Sequence, residues 1–386
     1  MSEELEHRII AFTKDWDDVP TCTTHILREM GKSLPVVWVN SIGTRKPNMR
    51  HPSHIKRIIK RVVGGFKRAE LKENRLRVLS PLLIPKAESK ISKWLNKKLF
   101  ALQAERELRA MGNGVIEYWC FVPNAVDLLP NRDKNIRIIY YCVDDWTKFH
   151  YLDKDWITKK ECELLDRADI VFAVSRFLEK KLQDISEKSV YYMPHGVEHK
   201  KFRSALSMTD IPADIANIKK PIIGFYGNIY PWVDLDLLEK FAWQRTGWSF
   251  VMIGGLFADV SRFDDIDNVY FLGRKEHDEL PHYCAAFDVA IIPYDMSNER
   301  MESVSPVKTR ELLAAGLPIV AADVPELRGM DNVSIAITDN EWITAIEEQL
   351  LRNDHEKIST RVQKDDWAIR VDNIRNIINR KDKDDE

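Results

Sequence analysis

Ser303, Ser305, Lys308 and Glu311 lie close together in one stretch, ESVSPVKTRELLAAGLPIVAAD (302–323). Small hydroxyl residues ahead of a helix form a ready anion site, because the first N–H groups of a helix lack intrahelical partners. Lys308, in the first turn or so, adds a cation able to meet a phosphate. Glu311 is an acid inside a small, apolar segment, and a carboxylate accepts hydrogen bonds from a sugar diol. Together these parts suit a nucleotide-diphosphate ligand. Arg274 directly follows the apolar run VYFLG and offers a second cation. Gly227 and Asn228 follow IIGFY and open a turn where a phosphate or sugar can approach the backbone. Each has a plainer reading: surface cations for Arg274 and Lys308, a simple strand–helix turn for Gly227-Asn228, and for Glu311 an ion pair with Arg310 or a neighbour.

Elements must hold these residues. Pro306 suits the first turn of a helix, where a missing N–H costs nothing. Leu312 and Leu313 supply an apolar side, Gly316 can end the helix in a left-handed cap, and Pro318 forbids its continuation. IVAA then reads as a short buried strand. The same alternation runs through the chain and predicts parallel α/β layers. Strands are expected at RIIAFT, PVVWVN, RVLSPL, VIEYWC, IRIIYYC, DIVFAV and VYYMP in the first half. IIGFYG, SFVMIG, VYFLG, VAIIPY, PIVAAD and SIAIT follow in the second. This divides the chain into a first domain at 1–202, a linker at 203–220 and a second domain at 221–360. A C-terminal segment at 361–386 follows, an amphipathic helix with Trp367 as anchor and a frayed tail. In open α/β sheets, ligands bind outside the carboxyl ends of the strands, which is where the candidates fall.

For a general base, Asp144 and Asp145 follow IRIIYYCV. Adjacent residues after a strand point in different directions, so one at most faces a ligand; Asp144 is favoured, and a helix N-cap is the alternative role. Asp15, Asp17 and His25 are rivals, and His195 in MPHGVE is a ligand contact or a packing histidine. Asp234-Leu-Asp236 spells Asp-x-Asp, yet acids at a helix start also offset the macrodipole. No His/Cys cluster has metal-ligand spacing, and neither G-x-G-x-x-G after a strand nor G-x-x-x-x-G-K-[ST] occurs, so no metal or bound cofactor is expected.

The pattern S-P-x-K-x-x-E-x-L-A-A-G-x-P-x-V resembles the donor-binding helix of GT-B-fold glycosyltransferases, in particular the family 4-like enzymes of bacterial surface polysaccharides. Glu311 matches the second acid of their Glu–seven residues–Glu pattern, which implies a ribose contact. The first acid falls on Ser303, with Glu302 one residue out of register. A subgroup similar to the teichuronic-acid-type transferases carries Ser-Pro-x-Lys there. IIGFYGN, NVYFLGRKEHDELPHYCAAFDVAIIPY, YYCVDDW, DRADIVFAVSRFLEKKL and YMPHGVEHKKF also resemble family segments in order, covering about 136–330. The resemblance implies two Rossmann-like parallel-sheet domains facing across a cleft, with a C-terminal helix crossing back. It also implies metal-independent hexosyl transfer from a nucleotide sugar, most often UDP-linked, to a lipid-linked or polysaccharide acceptor. A nucleotide-sugar epimerase or hydrolase of the same fold, or an inactive binding partner, are the alternatives.

With 386 residues, 44% hydrophobic and 31% charged, the chain can bury two cores. Five scattered cysteines without a C-x-x-C pair favour a reducing compartment. No signal peptide and no membrane-length apolar run is read from the sequence. The net charge of −2 hides an asymmetry: residues 45–110 carry nineteen Lys and Arg against five Asp and Glu. SHIKRIIKRVVGGFKRA (53–69) places isoleucines, valines and Phe66 at helical spacing, with Lys56, Arg57, Lys60 and Arg61 on other faces. That pattern suits an anionic bilayer surface, as does KISKWLNKKLFALQ (90–103) with Trp94; packing on the core is the rival. Nucleic acid is disfavoured, since aromatic interleaving and known modules are missing. The expected location is cytoplasmic, peripheral on the inner face of the membrane.

Overall fold

The computed structural model describes residues 6–43, 68–84, 89–149 and 151–384. The chain forms two compact units, Met1–Pro194 joined by Val371–Glu386, and His195–Arg370. Residues 203–220, read as a linker, fall inside the second unit and hold a 3-10 turn (Ser204–Ser207) and a short helix (Ala213–Ala216).

The first unit is built on β1 (His7–Phe12), β2 (Val36–Val39), β3 (Glu70–Glu73), β4 (Leu76–Leu79), β5 (Val115–Cys120), β6 (Ile136–Cys142), β7 (Ile170–Ala173) and β8 (Val190–Tyr192). Their order across the sheet is β3-β4-β2-β1-β5-β6-β7-β8. All are parallel except β3, which pairs antiparallel with β4 at one edge. Its sequence ELKE is charged and mostly exposed, so no apolar run announced it. The central strands are buried on both faces, as continuous β-branched and aromatic runs require. Trp119, Tyr141 and Phe172 come from three neighbouring strands, with Trp119 and Tyr141 each within 6.5 Å of Phe172.

One charge sits inside this core. Glu117, fully buried on β5, is held by His7 Nδ1 at 2.7 Å, by Trp119 Nε1 at 2.8 Å and by Arg375. Arg375 lies on the C-terminal helix Trp367–Asp384, which starts in the second unit and from Val371 onward belongs to the first. The expected crossing helix is therefore present, fixed to the first unit by Arg375 and by the buried Ile374 and Ile378. Trp367 anchors its other end. A Cβ at Gly196 would lie 2.6 Å from the indole, so the backbone there packs directly on the ring.

The second unit carries β9 (Ile222–Tyr226), β10 (Ser249–Ile253), β11 (Val269–Gly273), β12 (Val289–Ile292), β13 (Ile319–Ala321) and β14 (Val333–Ile335), all parallel. Their order, β11-β10-β9-β12-β13-β14, is the doubly wound 3-2-1-4-5-6 arrangement, with its switch point between β9 and β12. Discounting β3, the first unit repeats the arrangement with one further strand, β8, at its edge and its switch between β1 and β5. Helices start on side-chain caps: Asp234 accepts from Leu237 N–H at 2.8 Å, and Thr338 with Glu341 forms a capping box. Each such cap contributes about 1 kcal/mol.

Candidate functional site

At the second unit's switch point, β9 ends in Phe225 and Tyr226 and turns at Gly227, whose φ of +136° is a glycine conformation. The helix Val307–Ala314 stands opposite. Pro306 is its N-cap, one residue earlier than the first-turn position expected. At the other end Gly316 has φ +81°. Its N–H reaches Leu313 O, and Leu317 N–H reaches Leu312 O, the paired bonds of a Schellman cap.

Lys308 extends from the first turn of this helix to the Gly227 turn. Its ammonium lies over the Phe225 ring at 4.1 Å and faces the Tyr294 ring at 5.5 Å. A Cβ at Gly227 would come 2.1 Å from Nζ, so a side chain there would push the cation aside. Among the described residues no carboxylate pairs with Lys308. A cation held by rings rather than an acid keeps its charge available to an anion. Close by, the buried Oγ of Ser305 and Oγ1 of Thr309 have no hydrogen-bond partner among the described residues. Ser303 is buried, and its hydroxyl bonds Arg300 O at 3.0 Å.

Glu311, one turn further on, is 6% exposed. Tyr226 Oη donates to its Oε2 at 2.8 Å, and His277 Nε2 lies 2.8 Å from its Oε1. Lys201 Nζ lies 3.0 Å from His277 Nδ1. An ammonium has only donors, so Nδ1 accepts and the proton sits on Nε2, facing Glu311. Burial first, then the charge of Glu311, drives the Tyr226 phenol well above its usual value, so it stays a donor. The carboxylate is thus oriented by two donors. Tyr226 and His277 were not singled out in the sequence. A histidine in the loop after VYFLG, at the carboxyl end of a strand, was the available signal.

The other second-unit candidates are placed as follows. Asn228 is exposed, and its Oδ1 accepts from Gly255 N–H at 3.3 Å. Arg274 follows β11, exposed and without an ion pair among the described residues. His195 is buried at the start of the unit. Asp234 is occupied as a helix cap, and Asp236 pairs with Arg262, so that Asp-x-Asp serves a helix start.

In the first unit the loop after β6 separates its two acids. Asp145 is buried, accepting from Thr147 at 2.6 Å and from Lys181 at 2.9 Å. Burial opposes its charge, but those bonds hold its carboxyl below the usual range. Lys181 is itself braced by Glu161 at 3.1 Å, which takes the Tyr140 hydroxyl at 2.5 Å. Asp145 therefore fixes the loop. Asp144 is half-buried; burial pushes the Cys22 thiol up, and the Asp144 charge adds a smaller push in the same direction. Asp15 accepts from Ser41 N–H at 3.0 Å, Asp17 is exposed, and His25 is buried on the Cys22–Met30 helix. Trp94 stands 58% exposed on the Lys90–Arg109 helix, while Lys56, Arg57, Lys60 and Arg61 lie outside the described residues.

Residues 220–353 match the family model described as "Glycosyl transferases group 1". Over 210 residues the chain is 28% identical to a Bacillus subtilis (strain 168) protein assigned to teichuronic acid biosynthesis as the glycosyltransferase TuaH. The match covers 50% of this chain and 52% of that protein, so the chain spans about half the length of this curated relative. Among solved structures, sucrose-phosphate synthase from Thermosynechococcus elongatus superposes with a TM-score of 0.67 at 16% identity, covering 97% of this chain and 98% of that one. An alpha,alpha-trehalose-phosphate synthase (UDP-forming) from Burkholderia vietnamiensis gives 0.65 at 12%, covering 97% and 98%. The catalytic domain of starch synthase IV from Arabidopsis thaliana, bound to ADP and acarbose, gives 0.61 at 12%, covering 98% and 99%. At these identities the superpositions establish the fold.

Proposed function

We propose that this chain, a GT-B-fold relative of the group 1 glycosyl transferases, moves a sugar from a nucleotide-diphosphate donor, UDP-linked, to a lipid-linked or polysaccharide acceptor. The observation that carries the reading is the pairing of a doubly oriented carboxylate, Glu311, with the carboxylate-free cation Lys308 on one helix beside Gly227. Glu311 would accept the ribose hydroxyls. Lys308 and the helix N-terminus would neutralise the diphosphate as the sugar–phosphate bond breaks and charge develops on the leaving oxygen. The hydroxyls of Ser303 and Ser305 and the cation of Arg274 would complete the donor side, with Asn228 at the turn. Asp144 would take the proton from the attacking hydroxyl. A UDP-forming synthase among the superposed structures favours the uridine donor.

The acceptor side would work at an anionic membrane surface on the cytoplasmic side. Supporting this, the Lys90–Arg109 helix buries Phe100, Ala104 and Leu108 yet exposes Ile91, Trp94 and Leu102 beside Lys90, Lys93, Lys97 and Lys98. Among the described residues no helix is long and apolar enough to cross a membrane. Flotation with anionic vesicles tests this part: Trp94→Ala with Ile91→Ser should lose most of the bound fraction. Equal flotation of variant and wild type would remove the surface role.

A thermal-shift series with UDP, GDP, ADP and TDP tests the donor. UDP at about 100 times its Kd should stabilise by about 2.7 kcal/mol, and Glu311→Ala should abolish the shift. Stabilisation without sugar transfer to any acceptor extract would favour an inactive binding partner; no shift with any nucleotide would overturn the reading.

A further inference from the structure

A pocket of about 470 Å³ lies in the first unit where β4 meets the last turns of the Lys90–Arg109 helix. β4 is two strands from β1, so the pocket stands apart from the switch point. Arg68, Arg77, Arg106 and Arg109 line it, together with Glu105 and Glu107. Glu107 is 2% exposed; its carboxylate accepts from Ala69 N–H at 3.3 Å and pairs with Arg106 at 3.1 Å. Arg77 stands further off, at 3.8 Å. Arg109 meets Glu105 at 2.5 Å on the surface. Arg68 is exposed and has no ion pair among the described residues. Four guanidinium groups against two carboxylates leave an excess of two positive charges in one pocket.

At 3.6 residues per turn, Ile91, Trp94, Leu95, Leu102, Glu105 and Arg109 fall within about 100° of one another around the helix. All six are exposed, and Leu102, Glu105 and Arg109 also line the pocket. The pocket therefore opens on the same helix face as the apolar side chains. Guanidinium groups take phosphate oxygens through paired hydrogen bonds. A phosphate monoester carries a charge of about −1.5 to −2 at neutral pH, which matches the excess. A soluble ester would leave the apolar side chains uncovered. A lipid covers them, and holds its phosphate at the headgroup depth where a tryptophan also settles. We propose that this pocket binds the phosphate monoester headgroup of a membrane lipid. Arg68, Arg77 and Arg109 meet the phosphate, while Arg106 stays with Glu107. The lipid is an anchor and does not receive the sugar. The proposal rests on the reading of this helix as a surface-binding element, and names what it recognises there.

Flotation tests the site with phosphatidylcholine vesicles carrying phosphatidic acid, a monoester, against vesicles carrying phosphatidylglycerol, a diester, at the same surface potential. The wild type should bind the phosphatidic acid vesicles about fivefold or more tighter. Arg68→Gln with Arg109→Gln should remove that preference. Lys90→Gln with Lys93→Gln takes the same charge from the helix outside the pocket, and should weaken both vesicles alike while the preference stays. Calorimetry with glycerol 3-phosphate separates the sources. Tight binding of the soluble ester without a vesicle preference would assign the pocket to a free phosphate ester and overturn the lipid. Equal flotation on both vesicles, or a preference that survives in Arg68→Gln with Arg109→Gln, overturns the proposal and leaves the surface reading standing. No flotation on either vesicle overturns both. The UDP-induced thermal shift should persist in every variant, which shows each to be folded.

Discussion

The two units share a strand order but arrange charge at their switch points in opposite ways. In the second unit the acid is oriented by a phenol and an imidazole, and the cation rests on aromatic rings, so neither neutralises the other. In the first, Asp145 is consumed by Lys181 within a braced network, and Asp144 beside it is the half-buried acid. The difference teaches that a fold fixes where a ligand sits, while the partners of each charge decide what the ligand must supply. A crevice whose acid and cation are kept apart suits a ligand with a diol at one end and phosphates at the other. A crevice that spends one acid to hold a second suits a proton transfer.

Four changes would break or sharpen that contrast. Asp144→Asn should lower turnover by about 10²–10⁴-fold while leaving UDP affinity unchanged. Steady-state kinetics beside calorimetry checks this, and an unchanged rate would move the base elsewhere. Arg375→Met leaves Glu117 with only His7 and Trp119 in a dry core, and should cost the first unit about 3–5 kcal/mol in chemical denaturation. Burial works to raise the Glu117 carboxyl, but the bond from His7 and the charge of Arg375 outweigh it and hold it below the usual 4.5. A depressed acid contributes stability above its unfolded value and loses it as pH falls through the folded one. Wild-type stability from this group should hold down to about pH 4.5 and decline below; in Arg375→Met the decline should be smaller, because losing that charge brings the folded carboxyl nearer its unfolded value.

Lys308→Met should weaken UDP about tenfold or more and leave uridine unaffected, since a charge-assisted bond contributes about 1.5–3 kcal/mol. Equal loss for uridine would show that the lysine shapes the site and does not read phosphate. The smallest effect belongs to His277→Gln, which should keep the fold and weaken UDP by a few fold, about 1 kcal/mol, through a less well oriented Glu311. An unchanged affinity would reduce the imidazole to packing.

Most of the fold was legible because buried parallel strands write themselves as unbroken apolar runs, and each expected run holds a strand. The edge strand β3 was not, because an exposed charged strand has no such signature. The crossing helix was legible from its amphipathic spacing and Trp367. At the candidate site, Glu311 and Lys308 stood out as charges in an apolar, small-residue setting. Their partners did not, because Tyr226 and His277 are brought to Glu311 by the sheet across gaps of 85 and 34 residues.

The bond between Arg375 and Glu117 spans 258 positions of sequence. On the ribosome the acid is made long before its partner, with the whole of His195–Arg370 synthesised in between. At roughly 5–20 residues per second, the interval of 258 positions between acid and arginine takes about thirteen to fifty seconds. Throughout it, the first unit holds an acid in its central strand without the arginine that neutralises it. The second unit, continuous in sequence, has no such wait. Synthesis order thus reverses spatial order, and the half that begins the chain is the last to be completed.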